Sequence, residues 1–359
     1  MKYKMALAVC LLPMTASAVD FSFNGFGSIV AGSVIDGDGY IAQYPNLGVY
    51  EDGVEFSPET RLGVQGKAAF NDKLSATAQL TTRGADNYDV EVEWLYLSYK
   101  LTPNTDIQVG RLRLPVYYFS DYMDVGYAYP WLRIPADTYS LDATNYNGFK
   151  YNARFNSGDA YYTLSLYGGE EEADDSELMG YLFESFTTRI DRQFDNLAGV
   201  ALGVTLEELS VRVTYTRGDM EETQTYAPGS AGVIDYNIEF YDVFARYDFE
   251  SGLSLMAEYN IYRPFYTSYF TSATYQTGDF NYYISWSKFD LDEPFEEHDT
   301  TSIGVRWDLG DTYALKFDLS SMKDDGFNPF SGLPNPVYHN AENGDGDVKV
   351  FSVAVDFVF

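Results

Sequence analysis

The 359-residue sequence contains one cysteine and two histidines. The single cysteine, Cys10, allows neither a disulfide framework nor a zinc–thiolate site. His298 and His339 both fall in predicted external loops, where no positioned nucleophile accompanies them. GxSxG, HExxH and phosphate-binding glycine–lysine motifs are missing as well. The sequence therefore predicts that the protein is not an enzyme, and it contains no motif for a cofactor or a metal ion.

Basic residues are also few, because 23 Lys+Arg against 54 Asp+Glu give a formal net charge of −31. A surface this acidic repels phosphates, which excludes nucleic acid as a partner. Beyond the N-terminal segment, no apolar run approaches the roughly 20 residues that a membrane-spanning helix needs. Aromatic residues make up 17% of the chain, which excludes a disordered acidic protein.

Residues 1–18 differ in character from the rest of the chain. Lys2 and Lys4 precede an apolar stretch over residues 5–12, which is followed by Ala16-Ser17-Ala18. A charged start, an apolar centre and a pair of small residues at the end are typical of a cleavable secretory signal peptide. The sequence thus predicts an exported protein whose single mature domain spans residues 19–359.

The mature chain alternates between apolar and polar residues, which is the period of a strand with two different faces. In the last such run, Phe351, Val353 and Val355 alternate with Ser352 and Ala354. Most runs are about as long as the roughly 9–11 residues that a tilted transmembrane strand needs. Tyr and Trp near the predicted strand ends suit the aromatic girdles of a membrane barrel. These girdle candidates are Trp94, Tyr99, Tyr162, Tyr167, Trp286, Trp307 and Tyr313.

Tight turns alternate with longer connections along the chain. Turns are predicted at 71–73, 102–104, 157–159, 207–209, 250–252, 278–279 and 310–311, and long connections at 32–58, 115–147, 169–196 and 323–347. Short turns at one end and long loops at the other are typical of a transmembrane β-barrel. The count is about sixteen strands, which encloses a lumen too wide for side chains to fill and therefore wet. The prediction is an all-β, antiparallel transmembrane barrel, with a secreted β-sandwich as the alternative.

Three segments resemble Gram-negative outer-membrane porins of the 16-stranded, general-diffusion type. They are the opening FSFNGFGSIVAG, the stretch DIQVGRLRLPV and the terminal VKVFSVAVDFVF. The resemblance implies a homotrimer in the outer membrane, with a water-filled pore for passive diffusion of small hydrophilic solutes and ions. It also implies that the outer-membrane assembly machinery recognises the C-terminal strand, which ends in Phe359.

The resemblance further implies that the third loop, 115–147, folds into the barrel and narrows it. Acidic groups on this loop then face basic groups on the wall, and opposed charges across a narrow passage create a field that sorts solutes. The acidic candidates are Asp121, Asp124, Asp137 and Asp142. The basic candidates are Arg61, Arg83, Arg111, Arg113, Lys150 and Arg154. The loop also carries Arg133, which is expected to pair locally with one of its aspartates.

Loop aromatics provide a second set of candidates, because such side chains gain free energy by burial and argue against a disordered loop. These are Tyr118, Tyr122, Tyr129 and Trp131. They leave open a substrate-selective porin that guides a sugar or an anion along the aromatic rings. Acidic residues also crowd the predicted external loops, at 170–177, 290–299 and 324–347. Divalent cations could bridge these carboxylates to lipopolysaccharide, so a non-conducting barrel that acts as adhesin or envelope anchor is a further alternative.

Overall fold

The computed structural model describes residues 19–37, 39–51, 53–176, 178–179, 189–226, 229–292, 296–328, 333–334 and 347–359. The predicted signal peptide and His339 lie outside these residues. Within them, sixteen antiparallel strands close into one barrel. No helix in the described ranges is long and apolar enough to cross a membrane. The predicted all-β barrel of about 16 strands is confirmed.

The barrel strands are labelled β1 to β16 in chain order, and each pairs with its neighbours in sequence while β1 also pairs with β16. The strands are β1 (Asp20–Asp36), β2 (Arg61–Ala69), β3 (Leu74–Arg83), β4 (Val90–Thr102), β5 (Thr105–Arg113), β6 (Asn145–Ser157), β7 (Ala160–Ala173), β8 (Arg189–Leu206), β9 (Leu209–Tyr226), β10 (Ser230–Asp248), β11 (Leu253–Arg263), β12 (Tyr266–Thr277), β13 (Phe280–Leu291), β14 (Glu297–Asp308), β15 (Tyr313–Asp324) and β16 (Val348–Val358).

The two faces of the strands differ as the alternation predicts. In β15, Lys316, Asp318 and Ser320 are buried, whereas Phe317 and Leu319 on the opposite face are exposed. Charged side chains that point into a wide lumen keep water or polar partners, and apolar side chains on the outside face hydrocarbon. Because the sixteen described barrel strands close on themselves, the barrel has no open edge strand.

Glycines in β1 let the first and last strands close the barrel. Gly25 and Gly27 lie on the outer face, where any Cβ would collide with the rings of Phe359 and Phe357. The rings cover the glycine backbone, an arrangement that stabilises glycine-containing strand pairs. Rings of the chain's own C-terminal strand therefore occupy the space beside these glycines.

We call the end of the barrel with the long connections the outer end. Several strands continue further toward this end than the sequence predicts. Glu170, Glu171 and Glu172 lie in β7, Asp290 lies in β13, and Asp299 lies in β14, so these acids are not loop residues. Beyond the lipid both faces of a strand can meet water, so the alternation that marks a strand in the sequence is lost there.

Two connections fold inward from the outer end. The connection after β1 forms a small hairpin, Tyr40–Gln43 paired with Gly48–Tyr50, whose Tyr44 and Tyr50 are 1–2% exposed. The connection after β5, residues 114–144, carries two short 3-10 turns, Ser120–Tyr122 and Gly126–Ala128. A further two-stranded piece, Phe327–Asn328 with Leu333–Pro334, lies between β15 and β16. The sequence predicts the inward fold of the third loop but not that of the first.

Candidate functional site

Aromatic packing holds the third loop, residues 114–144, against the lumen wall. The Tyr118 ring stacks on Phe244 of β10 with centroids 3.5 Å apart. Trp131 packs edge-on against Phe270 of β12 at 5.0 Å, and its Nε1 donates to Ser272 Oγ at 2.8 Å. Tyr129 and Trp131 are therefore 1% and 4% exposed. The loop lies inside the barrel and packs against β10 and β12.

Basic residues of the wall bind the backbone of the same loop. Arg212 of β9 donates to the carbonyl oxygens of Pro115 at 2.6 Å and Tyr117 at 2.5 Å. Lys316 of β15 donates to the carbonyl of Trp131 at 2.6 Å. Arg306 of β14 does the same for Tyr127 and Tyr129 at 2.6 and 3.1 Å. The strand alternation places these three basic residues on the lumen side, but nothing in the sequence indicates what they bind.

Arg133 ties the loop to the opposite part of the wall. Its guanidinium donates to both carboxylate oxygens of Glu59, at 2.9 and 2.8 Å. It also donates to Asp318 Oδ1 at 2.9 Å and Ser352 Oγ at 2.6 Å. The expected local pairing of Arg133 with a loop aspartate is wrong, because the side chain instead reaches Asp318 of β15 and Glu59 of the connection before β2, two buried carboxylates that compensate its charge.

Four charged side chains meet where the loop approaches β3 to β5, and we call them the Asp124 cluster. Asp124 contacts Arg83 Nη2 at 3.1 Å and also binds Arg113. Glu93 accepts from Arg83 and lies 3.2 Å from Arg113 Nη2. Glu93 is not among the predicted site residues. The ladder between β3 and β4 shifts at this point, so Glu93 has no partner in β3. This irregularity breaks the alternation, and the Glu93 side chain is buried among the arginines.

The other three predicted loop acids do not join this cluster. Asp121 lies 3.4 Å from Lys150 Nζ, and more than half of its side chain is exposed. Asp142 binds Arg192 Nη1 at 2.9 Å. Asp137 is buried, and it binds His298 Nδ1 at 2.7 Å. Each acid has its own partner on the wall, so the four carboxylates do not form a single row.

The predicted wall bases divide in a similar way. Arg83, Arg113 and Lys150 contact loop aspartates, and Arg61 donates to the hydroxyl of Tyr129 at 2.7 Å. Arg111 instead pairs with Glu171 of β7 at 2.8 Å. Arg154 pairs with Asp106 of β5 at 3.0 Å, close to the tight-turn end. The structure therefore brings three of the six bases to the loop acids.

His298 links the third loop to the hairpin of the first loop. It lies in β14 rather than in a loop as predicted, and it is 1% exposed. Its Nδ1 faces Asp137, and its Nε2 lies 2.8 Å from the Tyr44 hydroxyl and 3.2 Å from Glu296 Oε1. The sequence gives no sign of this group, because its members are far apart along the chain.

The third loop separates two cavities. The outer cavity has a volume of about 580 Å³ and is bordered by Glu91, Glu171, Glu172 and Asp175, among others. The inner cavity has a volume of about 450 Å³ and is bordered by Lys150, Arg154, Arg212 and Asp121, with four aromatic rings. Arg113 borders both cavities. The Asp124 cluster thus borders the outer cavity, and its member Arg113 also borders the inner one.

The rings of the inner cavity are Trp94, Tyr96, Tyr118 and Tyr122. Trp94 therefore faces the lumen, not the outer girdle, and the same holds for Tyr167, whose hydroxyl bonds Thr216 Oγ1 at 2.5 Å.

No group of three or more His, Cys, Asp or Glu side chains in the described ranges is arranged to hold a metal ion.

Comparison with known proteins identifies the family. The model of the Gram-negative porin family matches residues 6–359. The chain belongs to the Gram-negative porin family. It is an outer-membrane channel for the passive diffusion of small solutes, and family and fold together indicate a channel rather than an enzyme. No curated protein sequence matches this porin.

Solved structures share the fold of this porin at low sequence identity. The outer-membrane channel DcaP of Acinetobacter baumannii aligns with a TM-score of 0.62 at 10% identity, covering 95% of this chain and 97% of that one. The anion-selective porin from Comamonas acidovorans aligns with a TM-score of 0.58 at 14% identity, covering 95% of this chain and 100% of that one. OmpT of Vibrio cholerae, in a structure described as the trimer form, aligns with a TM-score of 0.57 at 12% identity. The alignment covers 96% of this chain and 100% of that one.

Proposed function

We propose that solutes cross this porin from the outer cavity, past the Asp124 cluster, into the inner cavity. The observation that carries this route is that Arg113, a member of the Asp124 cluster, borders both cavities. The cluster holds two arginines and two carboxylates, so its own charges balance. Passage of small hydrophilic solutes is then limited mainly by size, as in a general-diffusion channel.

The predicted site residues take different roles in this proposal. Asp124, Arg83 and Arg113 form the constriction, with Glu93 as a fourth member. Asp121, Lys150 and Arg154 face solutes in the inner cavity, and Arg111 faces them in the outer cavity. Asp137 and Arg61 act indirectly, because their contacts fasten the loop instead of lining the route. Asp142 binds Arg192 and also borders the outer cavity.

Single-channel recording in planar bilayers tests the constriction. Asp124→Asn keeps the side-chain shape but leaves the cluster with one excess positive charge. We expect a higher conductance and a reversal potential shifted toward anion preference under a salt gradient. The matched control is Asp159→Asn in an exposed tight turn, which is expected to leave both quantities unchanged. If Asp124→Asn also leaves both unchanged, the cluster does not limit passage.

A substrate-selective channel for small organic anions is the second candidate. The inner cavity favours it, since basic residues outnumber Asp121 there and four rings offer apolar surface. Its volume lies in the range of about 300–1,000 Å³ that is typical of small-molecule sites. Of the predicted loop aromatics, Tyr118 and Tyr122 border this cavity, whereas the buried Tyr129 and Trp131 fasten the loop.

Current block by benzoate distinguishes the two candidates. A selective channel predicts block by benzoate at low concentration, weakened in Lys150→Met, with no block by the uncharged benzyl alcohol. A general-diffusion channel predicts steady ohmic currents with either solute. The exposed Lys73→Met in a tight turn serves as control for the loss of a positive charge.

We further infer a homotrimer, which the trimer form described for the related OmpT supports. We also propose that the acidic outer end contacts lipopolysaccharide through divalent cations, because acidic residues crowd that end. The resemblance of the C-terminal segment to porins supports recognition of the strand ending in Phe359 by the assembly machinery. Absence of any catalytic activity also remains a prediction from the missing motifs.

A further inference from the structure

Four polar side chains lie side by side on the lumen face of neighbouring strands. Thr214 of β9 is paired with Asp242 of β10, Asp242 with Asn260 of β11, and Asn260 with Ser268 of β12. Residues directly opposite each other in a ladder share a face and have adjacent side chains. All four are 0–1% exposed. They form a continuous polar row that no solvent reaches.

Most oxygen atoms of this row have no hydrogen-bond donor. Thr214 Oγ1, both carboxylate oxygens of Asp242 and Asn260 Oδ1 are buried without a donor among the described residues. The Asn260 amide nitrogen donates to Ser268 Oγ at 3.3 Å, so it is turned away from Asp242. Buried polar atoms in native proteins nearly always have a partner, and each exception needs an explanation. Here the exceptions are adjacent oxygen atoms, all of which can accept, although the Thr214 hydroxyl can also donate.

A second carboxylate lies next to Asp242. Glu258, which is 2% exposed, is paired with Phe244, two residues along β10 from Asp242, so both carboxylates lie on the same lumen face. Glu258 accepts the backbone N–H of Tyr118 at 2.9 Å and the hydroxyl of Tyr139 at 2.7 Å. Neither carboxylate forms an ion pair among the described residues, and the nearby Arg212 donates to loop carbonyls. Burying two adjacent carboxylates that form no ion pair is very unfavourable.

We propose that Thr214, Asp242, Glu258 and Asn260 bind a hard metal cation of the calcium type. Carboxylate, amide and hydroxyl oxygens are the ligands that such cations prefer, and calcium takes several of them in irregular geometry. A cation satisfies all four acceptor groups and balances both charges at once. A proton shared between Asp242 and Glu258 satisfies the carboxyl pair alone and leaves the Thr214 and Asn260 oxygens without partners.

This site is distinct from the Asp124 cluster and was not predicted from the sequence. Its ligands come from three strands, and two of them are neutral, so no acidic motif marks it. Glu258 also binds the loop through Tyr118 and Tyr139. The bound cation thus stabilises the place where the third loop rests on the wall.

Calcium binding to the full-length porin in detergent tests the proposal. Equilibrium dialysis is carried out with radioactive calcium in excess NaCl and MgCl2, which occupy weakly binding surface carboxylates. We expect Asp242→Asn to bind one calcium ion fewer per chain than the wild-type protein. The matched control is Asp235→Asn, an exposed residue of the same strand, which is expected to bind as the wild type does.

Thr214→Val and Thr214→Ser leave every charge in place. They provide a second test of the site if Asp242→Asn fails to fold. We expect Thr214→Val to weaken calcium binding about tenfold and Thr214→Ser, which retains the hydroxyl, to bind as the wild type. Equal calcium binding in the wild type, Asp242→Asn and Thr214→Val overturns the proposal in favour of a shared proton. Because dialysis measures binding and not current, the result is independent of the proposed route for solutes.

Discussion

Single carboxylates of the third loop differ in what they can do, although the sequence presents them alike. Asp124 is held between Arg83 and Arg113, whereas Asp121 meets a single, longer contact and is more than half exposed. A carboxylate with two buried arginine partners is fixed in position, while an exposed one is hydrated and screened. The sequence can nominate such residues, but only the partner that tertiary structure supplies distinguishes them.

His298 gives the first prediction, which concerns pH. In β14, Thr301 is the ladder partner of the girdle residue Trp286, which marks the edge of the membrane. His298 lies three residues nearer the outer end than Thr301, and so beyond the membrane-spanning part of β14. Burial lowers the pKa of His298, but the facing Asp137 and Glu296 outweigh it and raise the pKa from 6.5 to about 10. Tyr44 is the other titratable group in contact with the ring.

The raised pKa sets the sign of the effect on stability. Protonated His298 is favoured in the folded state, so its stabilisation is complete below pH 6.5 and declines until it disappears above about pH 10. We expect the difference in Tm between the wild type and His298→Gln to be largest in neutral and mildly acidic buffer and to vanish above pH 10. A difference that is constant with pH contradicts a charged His298.

The third loop, as an element, is fastened through its backbone. Arg212, Arg306 and Lys316 donate to loop carbonyl oxygens, and these bonds add to the short backbone turns within the loop. The sequence indicates the inward loop by its aromatic residues, and the structure agrees. It does not indicate the inward hairpin Tyr40–Gln43 with Gly48–Tyr50, whose short, mixed segments resemble any exposed loop.

Arg212→Met tests this attachment, because methionine keeps the apolar stem and removes the donors. The loss of charged hydrogen bonds is expected to cost about 1.5–3 kcal/mol and to increase current noise as the loop moves in the lumen. Arg217→Met, an exposed position of the same strand, is the control. Quiet currents and unchanged Tm in Arg212→Met argue that aromatic packing alone holds the loop.

The whole molecule depends on a barrel with lipid outside and water inside. Ile284 of β13 is 53% exposed on the outer face, whereas Gln108 of β5 borders the inner cavity. The same new charge therefore meets hydrocarbon at the first position and water at the second.

Ile284→Arg is expected to destabilise the folded barrel in lipid vesicles by about 2–4 kcal/mol, and Gln108→Arg by much less. Urea unfolding of both variants in vesicles measures the two values. Equal costs at the two positions are incompatible with a membrane-embedded barrel.

The sequence by itself determined the number of strands, the face that each strand turns to lipid and the segment that enters the lumen. These follow from local rules, since alternation has a period of two and tight turns need few residues. Tertiary structure alone decided the Asp124 cluster, the partners of Arg133 and the buried row at Asp242. Their contacts join residues up to 219 positions apart, and the register of neighbouring strands and the inward loop bring such residues together, which no local pattern records.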